Sequence, residues 1–578
     1  MKRLLKLIAK RWVTYTLGFV ALVSAIVLDM YNPYYFGEII DRVIMNGELA
    51  YMRTALLALA VITFGRAVLG YAKEYMFDIS SSKVIVDLRK KLFDHIQRLS
   101  FTFFDKNNTG ELMSRIKEDT DNIMHAICYG IMLTLEQIIY FVVAAVILFI
   151  INWKLALISL LTMPLIEYVV IKLERQVGMQ YEKISDQRAA LNTTAQENIA
   201  GVRVVKAFGR EKHEILKFLR QNEENYKINY DLVKSFAKYN PMIEFLSNLV
   251  LVFVITAGGY LVIGEEMSLG TLVAFSNYIW MLIWPLRMMG WLSSVVAQCV
   301  ASVKKIDKLF EEEPDIKNCP EPKMPEKICG HVEFRDVCFD YDGVSVLKDI
   351  NIDAKPGATI AIMGMTGAGK STLINLIGRY YDCTSGSVFF DGIGVKEMDL
   401  AELRRNVSVV MQDTFLFSDT IEANIKFGAG EVSDEVFMAA CRDAMVEEFV
   451  SQMPEGYRTV IGERGIGLSG GQKQRISIAR ALVRDAKVLI MDDSTSALDM
   501  ETEHAIQRAM DRRKGFTCFI IAHRVSAVKN ADEILYFEDG RIVERGTHEE
   551  LLRLRGRYYE TYREQYRDYV EALEKEVV

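Results

Sequence analysis

Gly364-Met365-Thr366-Gly367-Ala368-Gly369-Lys370-Ser371 meets the pattern G-x-x-x-x-G-K-[ST] at every fixed position. The flanks supply the context that the pattern needs: residues 359–363 read as a short apolar strand and residues 372–378 as a helix. In such a strand-loop-helix turn the glycines let backbone N–H groups converge on phosphate oxygens. Lys370 then reaches the β and γ oxygens, and the Ser371 hydroxyl is placed for Mg²⁺. Gly364, Thr366, Gly367, Ala368, Gly369, Lys370, Ser371 and Thr372 are the predicted phosphate-binding set, and the expected ligand is a nucleoside triphosphate.

What this turn is attached to follows from composition. Hydrophobic residues make up 51% of the 578 although 25% are charged, a combination that implies two joined compositions. Apolar runs occupy residues 12–28, 54–71, 127–151, 155–171, 243–263 and 271–300, each near or above the length that crosses a bilayer. The basic, amphipathic residues 1–11 lead straight into the first run, as a membrane-surface arm ahead of a signal anchor would. The segments between runs alternate. Residues 29–51 and 264–268 are acidic and 152–154 tiny, whereas 73–126 and 172–241 are long and rich in Lys and Arg. The positive-inside rule places those long segments, both termini and the nucleotide domain in the cytoplasm of a plasma-membrane protein. The eight cysteines show neither metal-ligand spacing nor a disulfide framework, so no disulfide is expected. A net charge of -7 without a basic tract interleaved with aromatics argues against nucleic acid as a partner.

Apolar residues recur at helical spacing through 84–99, so the long cytoplasmic segments read as helices prolonged beyond the membrane. Each is interrupted, at 103–111 and at 199–210, where a short cross-helix can form an elbow facing a soluble motor; Phe104, Asp105, Gly201 and Phe208 sit there. A charged, proline-rich connector over 311–329 separates a six-helix membrane domain, 1–310, from an α/β domain, 330–578, whose first strand pattern lies at 331–339.

The α/β domain carries a set of motifs more specific than any member. Residues 487–493 form a buried strand ending in Asp492 and Asp493, from which a carboxylate can hold the Mg²⁺ of the phosphate loop; Asp492 is the candidate. Leu468-Ser469-Gly470-Gly471-Gln472 opens a helix, offering a hydroxyl and bare N–H groups to an anion. With this pentapeptide the chain resembles, over nearly its whole length, the ATP-binding cassette exporters, in which a six-helix membrane domain precedes a P-loop cassette. The resemblance implies ATP and Mg²⁺ as ligands and further roles at matching positions. Tyr341 would stack on adenine, and Gln412 would touch Mg²⁺ and the attacking water. Ser496, Ala497, Leu498 and Asp499 would link the two nucleotide sites, His523 would contact the γ-phosphate, and Glu463 would meet the elbows.

One position departs from the family pattern. A glutamate normally follows the metal aspartate as general base, and here Asp493 stands in its place. Its carboxylate is set back by about 1.5 Å, one carbon-carbon bond, which predicts slow hydrolysis at this site. In the family the signature serine completes the opposite cassette's site, so a second half-transporter is required. An intact Ser469 beside a shortened Asp493 resembles the degenerate-site subunit of heterodimeric multidrug exporters. Inside or at the edges of the spans, Arg66, Glu136, Glu167, Glu244 and Arg287 are costly toward lipid and are expected to look into a cavity or snorkel to an interface. Met281, Trp284, Met288, Met289 and Trp291 add a soft aromatic surface for an amphipathic small molecule. The expected function is ATP-driven export of such molecules; the alternatives are a homodimeric lipid or peptide exporter and a regulatory ATP-gated subunit.

Overall fold

Among the described residues six helices are long and apolar enough to cross a membrane. They are α1 (Trp12–Glu38), α2 (Leu49–Ile96), α3 (Ile131–Ile151), α4 (Trp153–Ala200), α5 (Glu211–Ile263) and α6 (Leu269–Glu311). The computed structural model describes residues 2–462, 465, 467–513 and 515–566. At 1.5 Å per residue the 48 residues of α2 and the 53 of α5 run to roughly 70–80 Å, far beyond a hydrocarbon core of about 30 Å. The polar, helically patterned stretches flanking the apolar runs are therefore continuations of the same helices.

Contacts divide the chain into two units, Met1–Arg98 with Asn107–Glu313, and Leu99–Lys106 with Pro314–Val578. In the first unit α1 pairs along α2, α4 along α5 and α3 along α6. The shared core includes Leu22, Ile26, Leu148, Ile166, Val254, Phe275 and Ile279. At one end Gly37 and Gly270 pack backbone to backbone, so a Cβ on either would collide with the other's carbonyl. Beside them the Asp41 carboxylate accepts the Gly270 N–H at 2.7 Å, and Ser268 caps α6 by accepting the Thr271 N–H. Both expected elbows carry a short helix, Phe101–Lys106 and Val202–Ala207. The first of these groups with the second unit.

The described residues of the second unit form two sheets. A four-stranded antiparallel sheet has the order β2-β1-β4-β5, built from β1 (Val332–Tyr341), β2 (Val344–Ala354), β4 (Ser385–Phe390) and β5 (Ile393–Gly394). A six-stranded sheet has the order β10-β9-β3-β8-β7-β6. Its strands are β3 (Thr359–Gly364), β6 (Val407–Val410), β7 (Val488–Asp492), β8 (Thr517–Ile521), β9 (Glu533–Glu538) and β10 (Arg541–Gly546). β3 lies parallel between β8 and β9, and β7 parallel beside β8. A parallel strand covered on both faces must be apolar throughout, and every residue of β7 is buried. The register places the carboxyl ends of β3, β8 and β7 side by side, where open α/β sheets hold their ligands. The connector is pinned to this unit: Lys323 bridges Met398 by backbone pairing, and Ser100 donates to Asp315 at 3.1 Å. All eight cysteines are free thiols.

Candidate nucleotide site and membrane cavities

Three parallel strands deliver the chemistry to one edge. β3 runs into the phosphate loop, after which α7 (Lys370–Ile377) begins directly at the lysine. Gly369 caps α7 with φ 95°, in the left-handed region, and a Cβ there would press on Leu347 and the Val346 carbonyl. Lys370 is buried and arches over its own loop, Nζ donating to the carbonyls of Gly364 and Met365, each at 2.8 Å. Burial pushes its pKa down, opposed by the charges of Asp492 and Asp493.

Asp492 ends β7 and is buried. Burial lifts its carboxyl above the ordinary range and Asp493 adds to this, whereas the Ser371 hydroxyl hydrogen bond, Lys370 and His523 pull it back. A buried carboxylate bonded to a serine hydroxyl beside a phosphate loop is a hard-oxygen donor pair, and it fits Mg²⁺. Ser371 and Asp492 would hold the ion, which when bound neutralises charge between the phosphates.

Asp493 follows with φ 42°, its N–H donating to the Ile521 carbonyl at 3.0 Å. Aspartate tolerates the left-handed region better than most side chains. Its own carbonyl accepts the Ser496 hydroxyl at 3.0 Å, which folds the 496–499 loop back on the strand. His523 emerges just after β8, close enough to Asp492 for its charge to bear on that carboxyl. Gln412, beyond β6, is exposed, and Tyr341 ends β1 edge-on to Phe339 and Tyr381 with centroids at 4.7 and 5.4 Å.

The signature opens α8 (Gly470–Leu482), with Ser469 as its N-cap. Ser469 and Gln472 form a reciprocal capping box, with the Ser469 N–H donating to Gln472 Oε1 at 2.9 Å and the Gln472 N–H to Ser469 Oγ at 3.3 Å. Ser469 and Gly470 remain exposed, Gly471 is half-buried, and Leu468 packs on the adjoining core. Glu463 lies outside the described residues.

Several residues that organise this edge carried no motif. Buried Gln474 accepts the Ala497 N–H at 3.1 Å and donates to the Ser496 hydroxyl at 3.3 Å, tying the signature helix to the 496–499 loop, where Leu498 is buried and Asp499 caps the next helix. Glu503, also buried, accepts the Thr495 hydroxyl at 2.9 Å and pairs with Arg524 at 3.6 Å. Asp499 caps α9 (Met500–Arg512), and Gln565 closes α10 (Arg557–Gln565), the last described helix. It grips both sides of the histidine turn: Nε2 donates to the His523 carbonyl at 2.6 Å and Oε1 accepts the Val525 N–H at 2.9 Å. In the elbow helix Phe101–Lys106, Asp105 accepts the Tyr381 hydroxyl at 2.6 Å, Phe101 packs on Tyr380, and Phe104 is exposed. Gly201 and Phe208 flank the other elbow helix, Phe208 exposed.

Residues 15–286 match the ABC transporter transmembrane region family and residues 347–496 the ABC transporter family. This chain is an ABC exporter half-transporter. An ATP-dependent lipid A-core flippase of Syntrophus aciditrophicus is 34% identical over 568 residues, 98% of this chain and 94% of that protein. A Bacillus subtilis protein provisionally named for multidrug export is 35% identical, covering 95% of each chain. A fatty acid ABC transporter ATP-binding/permease protein of Mycobacterium bovis is 36% identical over 88% of this chain and 81% of its own. The solved structure of a bacterial Atm1-family ABC exporter with ATP bound superposes with a TM-score of 0.82 at 26% identity, over 96% of this chain and 99% of that one. ATP hydrolysis coupled to transport across a bilayer, by a dimer, follows from that membership.

In the membrane unit of this exporter the ionisable groups separate. Arg66 and Glu136 line one cavity of about 520 Å³. Arg287 and Met288 line another of about 920 Å³ with Glu174, Arg188 and Trp291, and Trp284 borders both. Glu167 and Glu244 line neither. Glu244 is exposed on α5, and Glu167 has a buried carboxylate oxygen with no hydrogen-bond partner among the described residues.

Proposed function

We propose that this chain is the slow-hydrolysing half of a heterodimeric exporter that moves amphipathic small molecules out across the plasma membrane, with its cassette in the cytoplasm. The reading rests on Asp493. The phosphate loop, Ser371, Asp492 and Ser469 are all present, while the acid that must reach the hydrolytic water is one methylene short, about 1.5 Å. The chain's own site would hold ATP for long periods, and Ser469 would complete the partner's productive site. The runner-up is a homodimeric lipid exporter, in line with the lipid A-core and fatty acid names of two relatives.

The test is ATPase turnover of the chain reconstituted alone, beside Asp493→Glu. Turnover near background in both supports the heterodimer. Brisk turnover by the native chain as a dimer makes Asp493 a competent base and leaves the homodimer.

A further inference from the structure

The third span runs unbroken from Thr109 to Ile151, yet it is not a uniform α-helix. Two of its turns, Arg115–Asp119 and Ala126–Gly130, are π-helical, with one short α-helical segment, Thr120–His125, between them. A π turn holds one residue more than the α turn it replaces, and single turns of this kind gather where a helix does something other than pack. When such a turn migrates along a helix, the residues it passes rotate by one position, about 100°, and slide about 1.5 Å, while the helix on either side stays in place. Thr120–His125 is the piece of this span that two such turns leave free to do so.

Polar contacts of the adjoining helices set its present orientation. The Asp119 carboxylate is buried; it accepts the Ser302 hydroxyl of α6 at 2.6 Å, pairs with Arg115 at 2.9 Å and lies 3.7 Å from the Lys305 ammonium. Asn122 donates to the same Ser302 oxygen at 3.2 Å, and the Thr120 hydroxyl accepts Arg89 Nε of α2 at 2.9 Å. In the second π turn the buried Cys128 thiol is hydrogen-bonded with Ser81 of α2, and Gly130 lies so close to α6 that a Cβ on it would stand 3.1 Å from Val295. Rotation by one position would take Asn122 off α6 and leave the contact at Gly130 where it is. The elbow helix Phe101–Lys106 is separated from this span by Asn107 and Asn108 alone, so movement of the elbow enters the membrane unit through these two turns.

We propose that residues 115–130 form a rotary joint in the third span, whose segment Thr120–His125 turns by one residue position between the nucleotide-free and the nucleotide-bound dimer. The joint serves a homodimer and a heterodimer alike.

The experiment is disulfide trapping in the assembled dimer in lipid nanodiscs, with Cys128 changed to serine and the other native cysteines to alanine. Asn122→Cys with Ser302→Cys reports on the rotating segment, and Gly130→Cys with Val295→Cys on the same pair of helices at its fixed end. Copper-phenanthroline oxidation is timed without nucleotide and with saturating Mg²⁺-ATPγS, and hydrogen-exchange protection of residues 470–482 verifies that the cassettes have engaged the nucleotide. The 122/302 crosslink is expected to form at least tenfold more slowly with nucleotide, while the 130/295 crosslink keeps its rate within twofold. Deletion of the exposed Lys117 removes the extra residue of the first π turn, after which nucleotide should change the 122/302 rate by less than twofold. Equal 122/302 rates in the two states overturn the proposal. So does matched slowing of both crosslinks, which means that the whole span leaves α6 as one body, and so does a deletion variant that keeps the tenfold difference. Thermal unfolding and nucleotide binding check that the deletion variant folds; where it does not, the two crosslinks in the undeleted chain decide.

Discussion

Gln565 shows how a side chain outside every motif can govern one inside. Its amide holds the His523 carbonyl and the Val525 N–H, so it braces the backbone of the turn that carries the His523 ring. Gln565→Leu in the assembled exporter is expected to lower kcat at least tenfold with KM for ATP within twofold, while the melting temperature stays within a few degrees. Equal kcat in the two proteins would show the grip to be structural only. Gln474 and Glu503 act similarly on the 496–499 loop. None of the three was legible beforehand, since a glutamine or glutamate in a helix is ordinary and only packing reveals that its amide or carboxylate is buried against a functional loop.

At the scale of elements, the helix Phe101–Lys106 is held to the second unit by Tyr381, whose hydroxyl donates to Asp105. Burial and the Asp105 acceptor both raise the phenol's pKa, so it remains a donor at neutral pH. Asp105→Ala should cost about 1 kcal/mol, and little of that should remain in a Tyr381→Phe background; a double-mutant cycle on thermal unfolding reads the coupling. The helix at His548–Leu554 carries a pH dependence. The His548 Nδ1 lies 2.7 Å from the Tyr558 hydroxyl, and burial together with Lys529 lowers its pKa. A histidine depressed on folding contributes full stability above its unfolded pKa of about 6.5 and loses it as pH falls below that value. Melting curves between pH 7.5 and 5 should therefore show a steeper acid loss in the native protein than in His548→Gln.

For the whole molecule, the proposed heterodimer implies a division of labour between two cassettes in which one chain's motifs are unequal. In the assembled heterodimer, Ser469→Ala should remove nearly all turnover because it strips the partner's productive site, whereas Lys370→Ala should leave most of it. Matched losses in the two variants would mean equivalent sites. By itself the sequence determined the six spans, the break at each elbow and the nucleotide-binding edge, because these depend on contiguous patterns: about twenty apolar residues for a bilayer, or eight residues turning a strand into a helix around phosphate. The membrane cavities and the grips on the loops were decided only by tertiary structure. Arg66 and Glu136 read alike as charges inside spans, and so did Glu167 and Glu244, until packing set Asp29 against Arg66, with Asn32 and Tyr140 donating to Asp29, and Lys73 against Glu136. Which charge is neutralised and which faces a cavity depends on partners tens to hundreds of residues away, and local sequence carries no record of them.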